Sequence, residues 1–491
     1  MAGPAVARRR RRERVAADAR CSRVARVPQQ TPGRTSRKSL VMPKTVWPPG
    51  PRSSLLSLLP IGLRSDPLGF ISGLAREYGD IAHLRAPGEH VVLLSHPQLV
   101  KDLLVTNQRN FRKGRGLERA RRLLGDGLLT SEGETHLRQR RLIQPAFHKE
   151  RIASYAVAMT DYADRVQQSW TDGGRIDASE DMMRLTLGIV GRTLFDTDVE
   201  LQARDVGEAL TDVLDSFWTT MLPFPNLLEK LPIPVVQRGK AARDRLDAII
   251  YGLIALRRRN PGDRGDLLSM LIMAQDEEQG GKGMTDRQVR DEAMTIFLAG
   301  HETTANALAW TWYLLSQNQD VETRLHEELD RVLGGRTPSM ADMHALSFVE
   351  QVITESMRVY PPAWMIGRRA IGPCAVGAYT LPARTLFLVS PYVLHRDSRY
   401  FPEPERFMPE RWTPEFKQSL PPFAYFPFGG GTRRCIGEGF AWMELVLVLA
   451  TLAQRWRMRL EPGHPVVPQP VVTLRLKHGL RMIVERRTPA R

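Results

Sequence analysis

The sequence predicts a mostly α-helical fold with small β-sheets, an α+β arrangement, and three observations carry that prediction. A capping box, Thr285-x-x-Gln288, opens a helical run that meets no breaker until about Gln317, roughly 48 Å at 1.5 Å per residue. Between about Ile152 and Arg258, long helical stretches alternate with polar turns. The prolines of Met221-Leu-Pro-Phe-Pro-Asn226 and Leu231-Pro-Ile-Pro234 end helices there, because a proline lacks the N–H the helix needs. The β signals are short and scattered.

Taken in order, the chain begins with a basic tail. Residues 1–41 hold twelve Arg and Lys against two acids and supply +10 of the formal charge of +16. The tail has no apolar periodicity or interleaved aromatics, so it reads as disordered rather than as a nucleic-acid-binding element, or as an extension annotated upstream of Met42. Residues 42–491 then read as a single domain. No early stretch of 18 or more apolar residues suggests a membrane anchor. Cys21, Cys374 and Cys435 are too scattered for a disulfide framework or a zinc site, which points to a reducing, cytoplasmic setting.

Ile81–Arg85 and Val91–Leu94 flank a Pro87-Gly88 turn and read as a β-hairpin, with Pro97 opening a helix. Asn110–Arg122 is basic and broken by glycine, hence a loop or short helix. His136 and Arg140, four apart on one helix face, are placed to reach the same anionic group. Inside the long helix, Gly300 costs up to about 1 kcal/mol relative to alanine, and Glu302 beside Thr303 in an apolar context asks for a reason. Helix packing is one; function is another. Glu355 and Arg358 form an i, i+3 pair. Tyr379-Thr380 and Leu386–Val389 read as strands, and Val472–Leu476 with Leu480–Val484 as a closing hairpin.

Phe428–Gly439, FGGGTRRCIGEG, sets one cysteine on a glycine-rich loop that opens into the apolar helix starting at Phe440. A thiolate at a helix N-terminus is favoured by the dipole and by unpaired N–H groups, so the loop is expected to hold sulfur as an anion. The spacing Phe428-x-x-Gly431-x-Arg433-x-Cys435-x-Gly437 resembles the haem-ligand signature of the cytochrome P-450 superfamily. Ala-Gly-x-Glu-Thr-Thr at 299–304, Glu355-x-x-Arg358 and Pro404-Glu-Arg406-Phe407 resemble further segments of that superfamily, in its order.

The resemblance implies that fold, with haem b between the long helix and the cysteine loop. Cys435 would be the axial thiolate, Phe428 would pack near the sulfur and Gly437 would be among the residues that bind the cofactor. Arg433, Arg140, His136 (where the superfamily often has Trp) and Arg368 would bind the propionates. Gly300 would make room above the iron, while Thr303 and Glu302 would supply protons during oxygen activation. Arg406 would join Glu355 and Arg358 in a structural cluster, and Phe217, Phe224, Trp364, Met365 and Ile366 would line the substrate pocket.

The activity implied is a soluble, bacterial-type monooxygenase that inserts one atom of O2 into a hydrophobic terpenoid, fatty acid or polyketide. No flavin, dinucleotide or iron–sulfur module is recognisable, so electrons are expected from a separate ferredoxin and ferredoxin reductase, with Arg433 and Arg434 on the docking side. The alternatives are a peroxide-using or isomerising haem-thiolate enzyme and a non-catalytic haem sensor. The Glu302–Thr303 pair weighs against both, since neither requires a proton relay.

Overall fold

The helix expected from the Thr285 capping box runs Asp286–Gln317, and the box is reciprocal: Gln288 N–H donates to Thr285 Oγ1 at 3.3 Å while Thr285 N–H donates to Gln288 Oε1 at 2.9 Å. It is buried on nearly every side, its charged residues Arg290, Asp291, Glu292 and Glu302 included. Helix Ala178–Phe195 packs along it, with Thr186 Oγ1 donating to His301 O at 2.9 Å. The apolar helix after the cysteine loop, Glu438–Ala453, and helix Ser347–Val359 pack elsewhere on it, the latter through Thr311 Oγ1 donating to Ser356 Oγ at 2.8 Å. Trp310 and Trp312 lie fully inside this assembly. Each large apolar side chain so buried contributes about 1.5–3 kcal/mol.

In this computed structural model the described residues are 45–51, 66–86, 88–196, 203–221, 231–276 and 281–488. The expected tail over residues 1–41 and the pocket candidate Phe224 lie outside them. Thr45–Arg491 form one compact unit.

Five short strands, β1 (Ile81–Ala86), β2 (Glu89–Leu94), β3 (Phe111–Lys113), β4 (Ile366–Ala370) and β5 (Leu386–Val389), make one sheet in the order β1-β2-β5-β4-β3. β5 runs parallel to β2 and the other pairs are antiparallel. β1 and β2 are the expected hairpin. The basic stretch that follows β3 forms helix Arg115–Leu124.

The closing hairpin is not the one expected. β6 (Trp456–Leu460) pairs with β9 (Arg481–Arg486), and β7 (Pro468–Pro470) with β8 (Leu474–Leu476), so the two candidate strands belong to different sheets. The chain reverses at Gly479, whose φ of +69° suits glycine. Leu480 N–H then donates to Asp177 Oδ1 at 3.1 Å, drawing β9 away from β8 towards residues 175–177. Among the described residues no helix is long and apolar enough to cross a membrane.

Candidate active site

The cysteine loop is built on close backbone approach. Gly431 has φ +69°, and a Cβ there would fall 2.0 Å from Leu104 O. The Cys435 N–H donates to Phe428 O at 3.0 Å, and the Gly437 N–H bonds the sulfur. Phe428 is half-buried, its ring 5.9 Å from that of Trp442. Cys435 has accessible surface while protein atoms surround its sulfur closely, as at the floor of a cleft. Burial pushes the thiol up to about 11, and the Gly437 hydrogen bond and the guanidinium groups of Arg140 and Arg434 do not offset it. In the protein by itself desolvation therefore works against the thiolate that the helix terminus favours, and coordination to a metal ion would favour it.

On the central helix, Ala299 is exposed and Gly300 and Thr303 are half-buried amid buried neighbours. Ala299 and Thr303, four apart, form an accessible stripe, and Thr303 Oγ1 donates to Ala299 O at 2.7 Å. Gly300 has a packing reason to lack a side chain. A Cβ there would point at Val190 Cγ2, 3.1 Å away, so its missing side chain lets helix Ala178–Phe195 approach.

A buried basic cluster supplies the second half of the site. Lys113 Nζ donates to Leu128 O at 2.7 Å and Ser131 O at 2.6 Å and lies 3.5 Å from His136 Nδ1. Arg433 pairs with Glu132 at 2.6 Å, and Arg368, 7% exposed, bonds Gly367 O at 3.0 Å. Burial lowers all three shifted groups: Lys113 to about 7, His136 to about 4 and Arg368 to about 10, with the nearby cations adding to it. Glu292, close to Lys113, is pushed up by burial to about 8 and so does not neutralise the cluster at pH 7. Arg433 Nε is buried without a hydrogen-bond partner. The unmatched Arg433 donor and the buried positive charge of Arg368 and Arg433 fit the two carboxylates of a haem, with Cys435 offering the soft sulfur ligand.

The profile of the family described as cytochrome P-450 matches residues 48–480. The chain belongs to the cytochrome P-450 family. It is 42% identical over 423 residues to "Cyclooctatin synthase" of Streptomyces melanosporofaciens, covering 86% of this chain and 92% of that one. It is 40% identical over 433 residues to "Cyclooctat-9-en-7-ol 5-monooxygenase" of the same organism, covering 87% and 94%. It is 36% identical over 425 residues to "Pentalenene oxygenase" of Streptomyces avermitilis, covering 86% and 94%. Among solved structures, retinoic-acid-bound cyanobacterial CYP120A1 superposes with a TM-score of 0.81 at 26% identity, over 90% of this chain and all of that one. As a cytochrome P-450 the chain is an oxidoreductase of the monooxygenase kind, and the family's cofactor is haem held by a cysteine thiolate.

The remaining candidates divide. Glu355 is fully buried and accepts from Arg358 Nε and Nη2 at 2.8 and 2.9 Å, as expected. The third arginine, however, is Arg411, whose Nε donates to Glu355 at 3.0 Å. Arg406 is a surface residue paired with Glu403, and only its backbone carbonyl takes part, accepting from Arg358. Trp412 Nε1 and Met408 N–H complete the ring of donors around Glu355.

Arg140 donates to Arg434 O at 2.7 Å and so ties its helix to the cysteine loop. Trp364 is not at a cleft surface: it is buried in the core and its Nε1 donates to Val471 O at 3.1 Å. Ile366 lies against the loop, 3.6 Å from where a Gly429 Cβ would sit. Met365 and Phe217 are half-buried, Phe217 3.8 Å from a Gly116 Cβ position.

Lys113 was missed by the sequence reading, in which it was one of several cations in a basic loop. Its alternation with exposed Arg112 and buried Phe111 on a strand was the available signal. Glu444 was missed too. It is a fully buried acid on the helix after Cys435, with no hydrogen-bond partner at either oxygen apart from the neighbouring Thr304 hydroxyl. Burial holds its carboxyl well above the usual range, only partly countered by Thr304.

Proposed function

We propose that this cytochrome P-450 inserts one oxygen atom from O2 into a cyclic terpenoid, a hydrocarbon or an alcohol already derived from one. What carries the reading is the likeness, over more than four-fifths of the chain, to proteins named for cyclooctatin, cyclooctat-9-en-7-ol and pentalenene. The reaction balances as substrate C–H plus O2, two electrons and two protons giving C–OH and water.

Haem b, when bound, supplies oxygen activation. Cys435 would hold it by sulfur, and Lys113, His136, Arg368 and Arg433 by its carboxylates. Thr303, on the accessible stripe, would hold a proton at Oγ1 next to the reacting oxygen, and Glu302 would replenish it. The half-buried Met365 and Phe217 support an apolar pocket wall. Electrons would come from a ferredoxin and its reductase; the exposed Arg434 beside the cysteine loop supports that choice.

The test is optical titration of the purified ferric protein with terpene hydrocarbons, terpene alcohols, fatty acids and macrolides. The expected result is a low-spin to high-spin Soret shift with the terpenes or terpene alcohols. A shift with fatty acids or macrolides alone would replace the substrate class.

A further inference from the structure

Glu302 and Thr303 do not face the same way. Successive helical residues point about 100° apart, and Thr303 follows the accessible stripe while Glu302 turns to the β7–β8 hairpin. There a single carboxylate oxygen, Oε1, accepts from Thr473 Oγ1 and from Arg475 Nε, both at 2.6 Å. Asn306, one turn along the central helix, donates to Thr473 Oγ1 at 3.1 Å, which leaves the threonine's own hydrogen for Glu302. The hairpin is held in place independently: Trp310 Nε1 donates to Leu474 O at 2.9 Å, and Leu474 N–H to Pro362 O at 3.0 Å. The Glu302 side chain is 2% exposed and that of Arg475 15%, so the guanidinium is the partner nearer to solvent.

We propose that Arg475 is a positioning residue for the reaction: it holds the Glu302 carboxylate on the hairpin side of the central helix, where Glu302 takes up its proton from solvent beside the more exposed guanidinium. This rests on the monooxygenase reading, in which Glu302 replenishes Thr303. The sequence motif places the acid beside the threonine, but the folded chain gives it a partner about 170 residues later, on an element the motif does not include. Charge pairing and two short bonds to one oxygen fix the carboxylate's rotamer more tightly than a solvated acid's would be, and fixed placement is what a proton relay requires.

The experiment is a cycle of Arg475→Gln, Glu302→Gln and the double variant in the haem-loaded protein, read three ways. In melting temperature, Arg475→Gln strands a buried carboxylate and is expected to be less stable than the double variant, which removes that charge. In turnover, product formed per electron pair is expected to fall about tenfold in Arg475→Gln, with a larger solvent deuterium isotope effect. Arg475→Gln is expected to add nothing further in the Glu302→Gln background. The substrate-induced spin shift is expected to keep its midpoint within about twofold, as for a loss outside ground-state binding. Additive melting effects, or an Arg475→Gln defect equally large in the Glu302→Gln background, would overturn the proposal. If the melting cycle is coupled while the wild type oxygenates no terpenoid, the contact stands and the substrate reading fails instead.

Discussion

Arg411 and Arg406 stand five residues apart, each at the end of a Pro-Glu-Arg triplet, and removing them is predicted to have unequal consequences. Arg411→Ala withdraws a donor from the fully buried Glu355, whose other partners are Arg358, Trp412 and the Met408 N–H. The Arg411 side chain is 5% exposed and that of Glu355 0%, so solvent does not screen the loss. Breaking a buried pair from one side costs about 3–5 kcal/mol. Arg358 remains to neutralise Glu355, which places the expected cost at the lower end, about 3 kcal/mol. The Arg406–Glu403 pair is exposed at 59% and 62%, a class worth about 0–1 kcal/mol. Urea unfolding followed by far-ultraviolet circular dichroism and by the haem band measures both variants. An Arg406→Ala loss equal to that of Arg411→Ala would refute the assignment, and with it the argument that burial rather than motif spacing selects the third arginine.

Three further outcomes follow from the same geometry. Thr303→Ala is expected to slow O2-dependent turnover by about a hundredfold, while peroxide-driven oxidation of the same substrate, assayed in parallel, changes little. Lys113→Met removes a buried cation from the proposed propionate cradle and is expected to reduce haem retained through gel filtration, with Arg112→Met, exposed next door, as the neutral comparison. Glu444 has a folded-state pKa raised by burial, so its contribution to stability is fully present below the unfolded carboxylate range and is lost as pH rises towards the folded value. Glu444→Gln should therefore be more stable than wild type at neutral pH, with the difference shrinking as pH falls to about 4; a difference independent of pH would contradict a buried, titrating carboxyl.

Local chemistry made much of this legible in advance. The Thr285 capping box, the Cys435 loop and the Glu355–Arg358 pair are short-range patterns, and each is where its spacing put it. What failed depends on which copy of a pattern the tertiary fold selects. Two Pro-Glu-Arg triplets satisfy the same spacing, and only burial against Glu355 separates them. Two strands either side of Gly479 read as a hairpin until Asp177 takes the Leu480 N–H. Trp364 suits a pocket by type, yet its indole N–H finds Val471 O inside the core. The Cys435 thiol shows the same limit in electrostatics, because the helix terminus is readable in sequence and the depth of burial is not.

The measurement that bears most directly on the central claim is turnover of a cyclic terpene or terpene alcohol under isotopically labelled dioxygen, with ferredoxin, its reductase and reduced nicotinamide cofactor. The account predicts a hydroxylated product carrying one labelled oxygen atom. Product that forms without label, or forms only with added peroxide, would contradict a dioxygen-dependent monooxygenase and return the chain to the peroxide-using alternative.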